Sequence, residues 1–515
     1  MNKKRVSIKL SVWPLVALLL LLSPFSKSFD DDYHVVETQE LSETKYWSEV
    51  GVATDHFDVL PLNIDVHSAF IFNFDNQNFS KSLSSEFKLG DDGEVYLPLV
   101  NGRSLKFTFF ERSNFATELS EKYPNIKAFR GFSTDYPQFI AYLSSSSIGL
   151  DATIINTDSG KRTYIHQISR DDPRYVSYSE FDYSNSDESL VCSTEIETHK
   201  QDLDLDHDHD HHSKHSKKSF SNFDSMSQLT MFSDESALST YRVAVSVNGQ
   251  YTSYHGGTVE SALAAINTLL TGLNFITETD IGIHLELVAN NDLVVYTDSA
   301  TDPFDDSLSG ANSALQQTLD SVIGSQNYDI GHLFSGVGGG GNAGAIGSVC
   351  INSTKGSAWS ASGNPAGSRF VNLVAHEVGH QLGANHTFSF NSEGTGVNVE
   401  PASGSTIMSY AGTGFDDITY NADNYYHHVS INQALAHLKS QTCHVNTDNG
   451  NALPVVEPLP NYSIPTGTPF ALTGLATDAD ASDSLTYAWE QVDDGVVTSD
   501  SFGPYNATGA NFRSI

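Results

Sequence analysis

Apolar and polar residues alternate with two different spacings in the middle of the chain. Short apolar runs with many β-branched side chains predict strands, and apolar residues three to four positions apart predict helices. On this basis we predict strands over residues 241–247, 281–288 and 328–334, and helices over 258–275 and 309–323. Thr258 suits the start of the first helix, because its hydroxyl can accept a hydrogen bond from a backbone N–H that has no partner within the helix. The resulting β-α-β-α-β order predicts an α/β sheet.

A further helix is predicted over residues 370–382, and its two sides differ in chemistry. Valine and leucine side chains collect on one side, which can pack into a core. On the other side His376 and His380 are four residues apart, so both imidazoles can reach one metal ion. Glu377 projects beside them, close enough to hold a water molecule at the metal without binding the metal itself.

The residues after this helix supply a third imidazole. Gly383 can take a positive φ and end the helix, after which the chain can bring His386 back to the same metal. Three imidazoles leave the fourth tetrahedral position of zinc open for water, which is typical of a catalytic site rather than a structural one. Glu377 can then take a proton from that water and hand it to a leaving amine. The alternative is a chance pair of histidines on a helix, which the glycine and third histidine argue against.

Residues 376–386 read His-Glu-x-x-His-x-x-Gly-x-x-His, and this pattern resembles that of the metzincin metallopeptidases. Met408, in Ser-Thr-Ile-Met-Ser-Tyr, resembles the methionine of the turn below their zinc. Within that clan the chain is similar to the bacterial reprolysin-like (adamalysin-related) peptidases. The resemblance implies a zincin-like α/β catalytic domain with a mixed twisted sheet and an edge strand at residues 343–349. It also implies roles for five residues: His376, His380 and His386 as zinc ligands, Glu377 as general base and Met408 in the Met-turn.

Four more residues have roles that the sequence leaves open. Tyr410 is either an extra zinc ligand or oxyanion stabiliser, as the equivalent tyrosine is in astacins and serralysins, or a packed core tyrosine. Cys192 could bind zinc through its thiolate and keep a zymogen silent, or it could be a free thiol. Cys350 and Cys443 bracket the zinc motif and could form one disulfide in an oxidising compartment.

The amino-acid composition of the chain limits the kinds of molecule that it can bind. The chain has 63 acidic and 27 basic residues and a formal net charge of −36, which argues against nucleic acid and anionic membranes. Between Ser239 and Cys443 we count four Lys/Arg and 17 Asp/Glu. That balance could favour cationic substrate segments, although solubility alone accounts for it. Three cysteines do not make a disulfide scaffold, and the oligomeric state stays open.

The N-terminal part of the chain divides by composition into three segments. Residues 1–28 have a basic start and a short apolar run, which predicts a signal peptide and secretion, with an uncleaved anchor as the alternative; no later stretch reads as a membrane span. Residues 29–198 carry strand-like runs and predict a β-rich pro-domain or an independent binding module. Residues 199–237 are rich in His and Asp and predict a disordered linker, with Lys217–Lys218 as a plausible processing point.

The catalytic domain is expected over residues 238–445, followed by a Pro-rich linker over 446–468. Residues 469–515 resemble part of an immunoglobulin-like β-sandwich, with Trp489 as a core anchor. Acidic residues within 478–483 could bind calcium or form a polar turn. Since the sequence stops at Ile515 within this module, we expect a longer protein.

The leading interpretation is a secreted, zinc-dependent metalloendopeptidase that is made as a zymogen. It would use one catalytic zinc to hydrolyse peptide bonds in protein or peptide substrates. One alternative is a non-catalytic extracellular binding protein with a vestigial zinc site, and the presence of Glu377 argues against it. Another is a metal scavenger built on the His-rich segment, which would bind several weakly held ions rather than one tight zinc.

Overall fold

The structure is a computed structural model of the chain. It describes residues 94–169, 172–179, 192–194 and 237–448, with shorter stretches between 39 and 79, at 183–185 and between 450 and 512. The predicted signal peptide and nearly all of the predicted linker lie outside the described residues. Chain contacts divide the described residues into two compact units: those within 35–198, 239–446 and 490–515 form one, and those at 237–238 and within 447–489 form the other.

Residues 29–198, here called the N-terminal region, are rich in strands, as predicted. Ten of the strands form one antiparallel sheet, and β3, β4 and β13 form a small second one. In chain order they are β1 (Gln39–Glu40), β2 (Trp47–Ala53), β3 (Phe57–Val59), β4 (Ile64–Val66), β5 (Ala69–Phe74), β6 (Glu94–Pro98), β7 (Arg103–Glu111), β8 (Lys127–Phe132), β9 (Phe139–Ser146), β10 (Gly149–Asn156), β11 (Arg162–Gln167), β12 (Arg174–Ser179) and β13 (Tyr183–Asn185). Helix α1 (Thr117–Lys122) lies between β7 and β8. The function of the region as a pro-domain stays a prediction.

The next sheet is mixed, as the family resemblance implies. β14 (Ala237–Val247), β15 (Ile283–Leu287), β16 (Ile330–Ser335) and β18 (Ala358–Ser362) run parallel, and β17 (Gly339–Asn342) is antiparallel to β18. The order across the sheet is β15-β14-β16-β18-β17, so β15 and β17 are its two edges. The predicted strands and their α/β sheet are therefore confirmed.

Five helices accompany this sheet, with the predicted helices among them: α2 (Gly249–Tyr254), α3 (Val259–Asp280), α4 (Ala311–Leu319), α5 (Gly367–Gln381) and α6 (His428–Leu438). Thr258 begins α3 as predicted, with its Oγ1 accepting from the backbone N–H of Ser261 at 3.1 Å. The predicted second helix ends earlier, because α4 passes into a wider π-helical turn at Asp320–Gly324. One large hydrophobic core joins the sheet to α3 and α5.

The expectation that no stretch after residue 28 reads as a membrane span was wrong on composition, because α3 is long and apolar enough to cross a membrane by length and composition alone. Its apolar side chains, including Leu263, Ile266 and Leu270, are fully buried within the core. The apolar character of α3 is therefore explained by its position between the mixed sheet and the neighbouring elements of the same unit.

The edge strand beside the zinc motif is displaced from its predicted position. The resemblance placed it at residues 343–349, but β17 lies at Gly339–Asn342 and residues 343–349 form bends and turns. This prediction was wrong because the glycines of β17, residues 339–341, lack the side-chain alternation that marks a strand in a sequence. The glycine-rich segment is thus itself the edge of the sheet.

The C-terminal residues have little regular structure. Past β19 (Val445–Asp448), the described part of the chain contains only β20 (Val455–Val456) and β21 (Ala476–Thr477) as strands. Residues 490–515 bond to the loop after the zinc motif, where the backbone of Val497 accepts from Ala402 and donates to Ser389. The immunoglobulin-like sandwich stays a prediction. Nothing in the described residues supports calcium, since Asp478 instead accepts from the backbone N–H of Asp480 in a turn.

Candidate metal centre

Helix α5 holds two of the predicted ligands one turn apart. His376 and His380 project from the same side, with ring centroids 4.8 Å apart, while the other side of the helix packs into the core. The helix ends just before Gly383, whose φ of 108° would strain any other residue. A side chain at Gly383 would also meet the Cβ of His437 at 2.9 Å. The turn at this glycine brings His386 back, and its Nε2 lies 3.0 Å from Nε2 of His380.

A cysteine from the N-terminal region completes a group of four donors. The Sγ of Cys192 lies 3.6 Å from Nε2 of His380. The ligand atoms of Cys192, His376, His380 and His386 all lie within 4.8 Å of one another. Among the described residues this is the group of His, Cys, Asp and Glu side chains that could share a metal ion. Its three imidazoles and one sulfur are a donor set that zinc prefers.

Each imidazole is oriented by a bond at its other nitrogen. The Nδ1 atoms of His376 and His380 donate to the backbone carbonyls of Ile407 and Ala384, both at 2.7 Å. Nδ1 of His386 bonds to the carboxylate of Glu393 at 3.0 Å. Such bonds fix the tautomer that leaves Nε2 with a lone pair for a metal. Nε2 of His376 is buried and has no hydrogen-bond partner in the described part of the structure, as expected for a ligand position.

Burial also keeps the imidazoles of His376 and His380 neutral. Burial first, and the nearby His386 second, lower the pKa of His376 to about 3. Burial, together with the neighbouring histidines, holds the pKa of His380 well below its ordinary value. Because neutral imidazole is the form that binds metal, the site is set up for a cation near neutral pH.

Glu377 lies fully buried beside the histidines, against the glycine-rich edge strand. A side chain at Gly341 would approach Oε1 of Glu377 to 2.4 Å, so only glycine leaves room for the carboxylate there. Burial raises the pKa of Glu377 to about 8, although a hydrogen bond from Thr194 lowers it. A carboxyl group with a raised pKa beside a metal site suits general acid and base chemistry.

Residues 192–194, here called the cleft segment, lie along β17 and reach both parts of the site. Cys192 pairs with Gly341 in a parallel bridge, and the backbone N–H of Ser193 donates to the Gly341 carbonyl at 2.8 Å. The Thr194 hydroxyl donates to Oε2 of Glu377 at 2.9 Å and accepts from the backbone N–H of Ala343 at 2.8 Å. Burial and the nearby Glu377 raise the pKa of the Cys192 thiol. The segment thus contacts the donor group and the carboxylate together.

Comparison with known proteins agrees with this geometry. Residues 237–441 match the model of the metallo-peptidase family M12B, reprolysin-like. This segment is a reprolysin-like metallopeptidase domain. No curated protein matches the chain. The match confirms the predicted metzincin α/β fold and makes the domain that of a zinc metalloendopeptidase, which acts on protein or peptide substrates.

Met408 and Tyr410 lie below the histidines of the reprolysin-like domain. Met408 is fully buried under α5, and a side chain at Gly379 would meet its sulfur at 2.4 Å. The ring of Tyr410 packs 4.7 Å from that of His386, and its hydroxyl donates to the Cys192 carbonyl at 3.3 Å. Cys350 and Cys443 are joined by a disulfide.

Three residues that the sequence analysis did not select also shape the site. Glu393 holds His386, and Glu400 ties the segment after His386 to the Met-turn by accepting from the hydroxyls of Thr387 and Thr406. Thr194 holds Glu377. Neither Glu393 nor Glu400 stands at a spacing that predicts a role, because both lie in an irregular Gly- and Ser-rich loop. For Thr194, the only indication in the sequence was its position two residues after Cys192.

Proposed function

We propose that the chain is secreted as a latent zinc endopeptidase, in which His376, His380 and His386 hold the zinc and the cleft segment blocks it. One observation carries this proposal: the Cys192 thiol lies within the group of imidazole donors while Thr194 bonds to Glu377. A bound substrate would need both the position of the Cys192 thiol beside the imidazoles and the position of the Thr194 hydroxyl beside Glu377. The N-terminal region therefore acts as a pro-domain, and the chain becomes active when the cleft segment leaves.

Zinc bound by the three imidazoles supplies a Lewis acid that polarises a peptide carbonyl and makes a water molecule more acidic. Glu377 does the proton transfer. Its Oε2, which Thr194 holds in the latent state, accepts a proton from the attacking water and returns it to the leaving amine. Burial raises the pKa of Glu377, so its carboxylate accepts the proton of the water readily and passes it to the amine as the C–N bond breaks.

Tyr410 fits the role of an oxyanion stabiliser better than that of a core residue. Its hydroxyl already donates to a peptide carbonyl in the cleft, that of Cys192. A substrate carbonyl that replaces Cys192 there would meet the same donor, which acts most strongly on developing negative charge.

Two features support secretion. Residues 1–28 have the basic start and apolar run of a signal peptide. The Cys350–Cys443 disulfide suits an oxidising compartment. The expected result is a secreted chain whose N-terminus, determined by sequencing, lies near Phe29. Retention of the chain in the cell with residues 1–28 intact would contradict it.

The test of function compares the zinc-loaded full-length chain with Cys192→Ala, Glu377→Ala and Ser159→Ala on a diverse peptide library. We expect Cys192→Ala to raise the cleavage rate roughly tenfold or more, because a dominant latent state lowers apparent activity in proportion to the competent fraction. Ser159 lies in an exposed turn of the N-terminal region, so Ser159→Ala should leave latency intact.

Glu377→Ala in the Cys192→Ala chain should bind one zinc and cleave nothing. Metal analysis at the same time separates the enzyme from a metal scavenger, which would hold several weakly bound ions. A folded Cys192→Ala chain that holds one zinc but cleaves no peptide contradicts the endopeptidase function. Equal activity in the parent and Cys192→Ala chains contradicts latency through Cys192.

A further inference from the structure

A short segment near the C-terminal end of the chain lies against the loop that follows the third histidine. Residues 494–497, here called the C-terminal strap, stand outside the stretch 237–441 that matches the reprolysin-like family. The loop, residues 387–402, starts directly after His386; the structure describes it in full, and it contains no helix and no strand. Such a loop is costly to order, so a side chain that it positions needs contacts from elsewhere.

Val497 of the strap ties the start of the loop to its end. Its backbone N–H donates to the Ser389 carbonyl at 2.9 Å, and its own carbonyl accepts from the backbone N–H of Ala402 at 2.7 Å. The Ser389 hydroxyl donates to the same carbonyl at 3.1 Å. Because Val497 is fully buried, these bonds are shielded from water. The strap therefore fixes both ends of the loop relative to each other.

Asn398 connects the strap to the inside of the loop. Its backbone N–H donates to Oδ1 of Asp494 at 3.0 Å, and its backbone carbonyl accepts from the N–H of Gly495 at 3.2 Å. Its buried side chain accepts from the backbone N–H of Glu393 at 3.0 Å and donates to the Phe388 carbonyl at 2.7 Å. Asn398 thus binds the strap through its backbone and two other parts of the loop through its amide group.

Glu393 and Phe388 are also the loop residues that contact His386. The carboxylate of Glu393 bonds to Nδ1 of His386 at 3.0 Å, and the Phe388 ring stacks on the imidazole with centroids 5.2 Å apart. A partner at the outer nitrogen of a metal-binding histidine fixes the orientation of the ring and raises its basicity. A continuous set of contacts therefore runs from the strap through Asn398 to the third imidazole.

We propose that the C-terminal strap holds the third zinc ligand in place, with Asp494 and Asn398 as positioning residues. The inference rests on the zinc site proposed above, but not on peptide cleavage. While the strap is bound, the loop is already ordered, so His386 binds metal without a further entropic cost. Without the strap, metal binding has to order the loop, and the affinity falls. His376 and His380 do not share this dependence, because helix α5 carries them.

The first experiment measures the zinc dissociation constant of the full-length Cys192→Ala chain, in which the three imidazoles are the remaining donors of the group, by competition with a chelating dye. Asp494→Ala should raise this constant roughly three- to tenfold, because it removes one hydrogen bond to the loop. Asp494→Asn keeps an accepting oxygen and should restore the affinity. Asp500→Ala, which removes an exposed carboxylate just past the strap, is the matched control and should change nothing. Glu393→Ala should raise the constant roughly 10- to 100-fold.

The second experiment follows the ligand geometry. With Co²⁺ in place of zinc, the visible absorption spectrum depends on the number and arrangement of the ligands, which a contact that only stabilises the fold would leave unchanged. Asp494→Ala should alter this spectrum, and Asp494→Asn and Asp500→Ala should not.

Equal zinc dissociation constants in Asp494→Ala and Asp500→Ala, together with a raised one in Glu393→Ala, overturn the inference and leave the zinc site intact. A parent chain that binds no zinc contradicts the zinc site and the inference together. Zinc binding that depends on Asp494 in a chain that cleaves no peptide supports the inference, and in that case the endopeptidase function alone fails.

Discussion

The N-terminal region covers both edges of the reprolysin-like sheet, but it does so with different chemistry. At β15, the edge far from the histidines, Ala116 donates to the Leu287 carbonyl at 2.9 Å and Leu287 donates to that of Asn114 at 2.7 Å. Phe115, between them, is buried in the same hydrophobic core as the catalytic helices. Backbone hydrogen bonds and a buried apolar side chain therefore hold the N-terminal region at the far edge, as they do within a domain core.

At β17 the cleft segment is short and polar. Ser193 is exposed, the sulfur of Cys192 contacts the donor group, and the Thr194 hydroxyl bonds to Glu377. Hydrogen bonds to β17 and to Ala343, rather than buried apolar side chains, hold its described residues in place. Under the latency proposed above, attachment and blocking are separate properties of one region: the far edge anchors it, and the cleft segment occupies the site. We therefore expect release at the cleft to leave the far edge intact.

The largest effect should come from the far edge. Phe115→Ala removes a buried aromatic ring, so the free energy of unfolding should fall by about 3–5 kcal/mol, measured by urea denaturation. Phe110→Ala, at an exposed phenylalanine of the same region, is the matched control and should change stability little. Equal stability of the two variants would show that the far edge does not anchor the region.

A second, smaller effect should appear at the cleft edge in activity rather than stability. Gly341→Ala places a methyl group against Glu377 and must displace the carboxylate. In the Cys192→Ala chain we expect kcat/KM to fall roughly 100-fold, since a displacement of about 1 Å at a reacting group costs that much. Zinc content should not change, because Gly341 does not contact the histidines' donor atoms. Undiminished activity would mean that the carboxylate does not need its observed position.

The same two edges show what a sequence can predict. The helix that carries His376 and His380 was predictable because its spacing and its histidine offsets are local properties of a dozen residues. The turn at Gly383 was predictable for the same reason. The position of β17 was not, because glycines 339–341 carry no pattern, and what fixes them is the close approach of Glu377 from another element.

The contacts that the N-terminal region makes with the reprolysin-like domain could not be predicted from the sequence, for a different reason. Asn114 bonds to the side chains of Asn267, Thr271 and Asn274, more than 150 residues away, and no local spacing indicates such a network. For Cys192 the sequence left a zinc-binding thiol and a free thiol open, and only the structure brings its sulfur beside the three imidazoles. The partner of Thr194 became apparent only once the cleft segment was seen against Glu377.

A third effect, several-fold in size, should separate the two functions of the cleft segment. Thr194→Val keeps the shape of the side chain but removes the hydrogen bond to Glu377, which is worth about 1 kcal/mol. The uncleaved, zinc-loaded chain should therefore gain activity, measured as peptide cleavage, but less than with Cys192→Ala. Ser193→Ala also removes a hydrogen bond of the cleft segment, that of its hydroxyl to the Gly341 carbonyl at 2.9 Å, but it leaves Glu377 untouched. Because Ser193 is exposed, its gain should be the smaller one. A gain in Ser193→Ala as large as in Thr194→Val would assign the effect to the segment as a whole.

The smallest effect should be a pH dependence at the far edge, where Glu278 of α3 meets Arg112 of the N-terminal region at 3.1 Å. Burial raises the pKa of Glu278, but the hydrogen bond from His284 and the charges of Arg112 and Arg130 outweigh it, so the net pKa is below its ordinary value of 4.5. A carboxyl group with a lowered pKa stabilises the folded chain above about pH 4.5 and loses that contribution as the pH falls further.

Glu278→Gln should therefore cost about 1 kcal/mol or less at pH 7, because Arg112 is partly exposed, and the difference from the parent should shrink as the pH approaches 4. Urea denaturation at pH 7, 5 and 4 measures it, with Glu118→Gln at an exposed carboxylate of α1 as the control. A gap that stays constant or widens toward pH 4 would show that the ion pair does not stabilise the far edge. In that case the anchor would consist of its buried apolar and amide contacts alone, which makes the contrast with the polar cleft edge sharper.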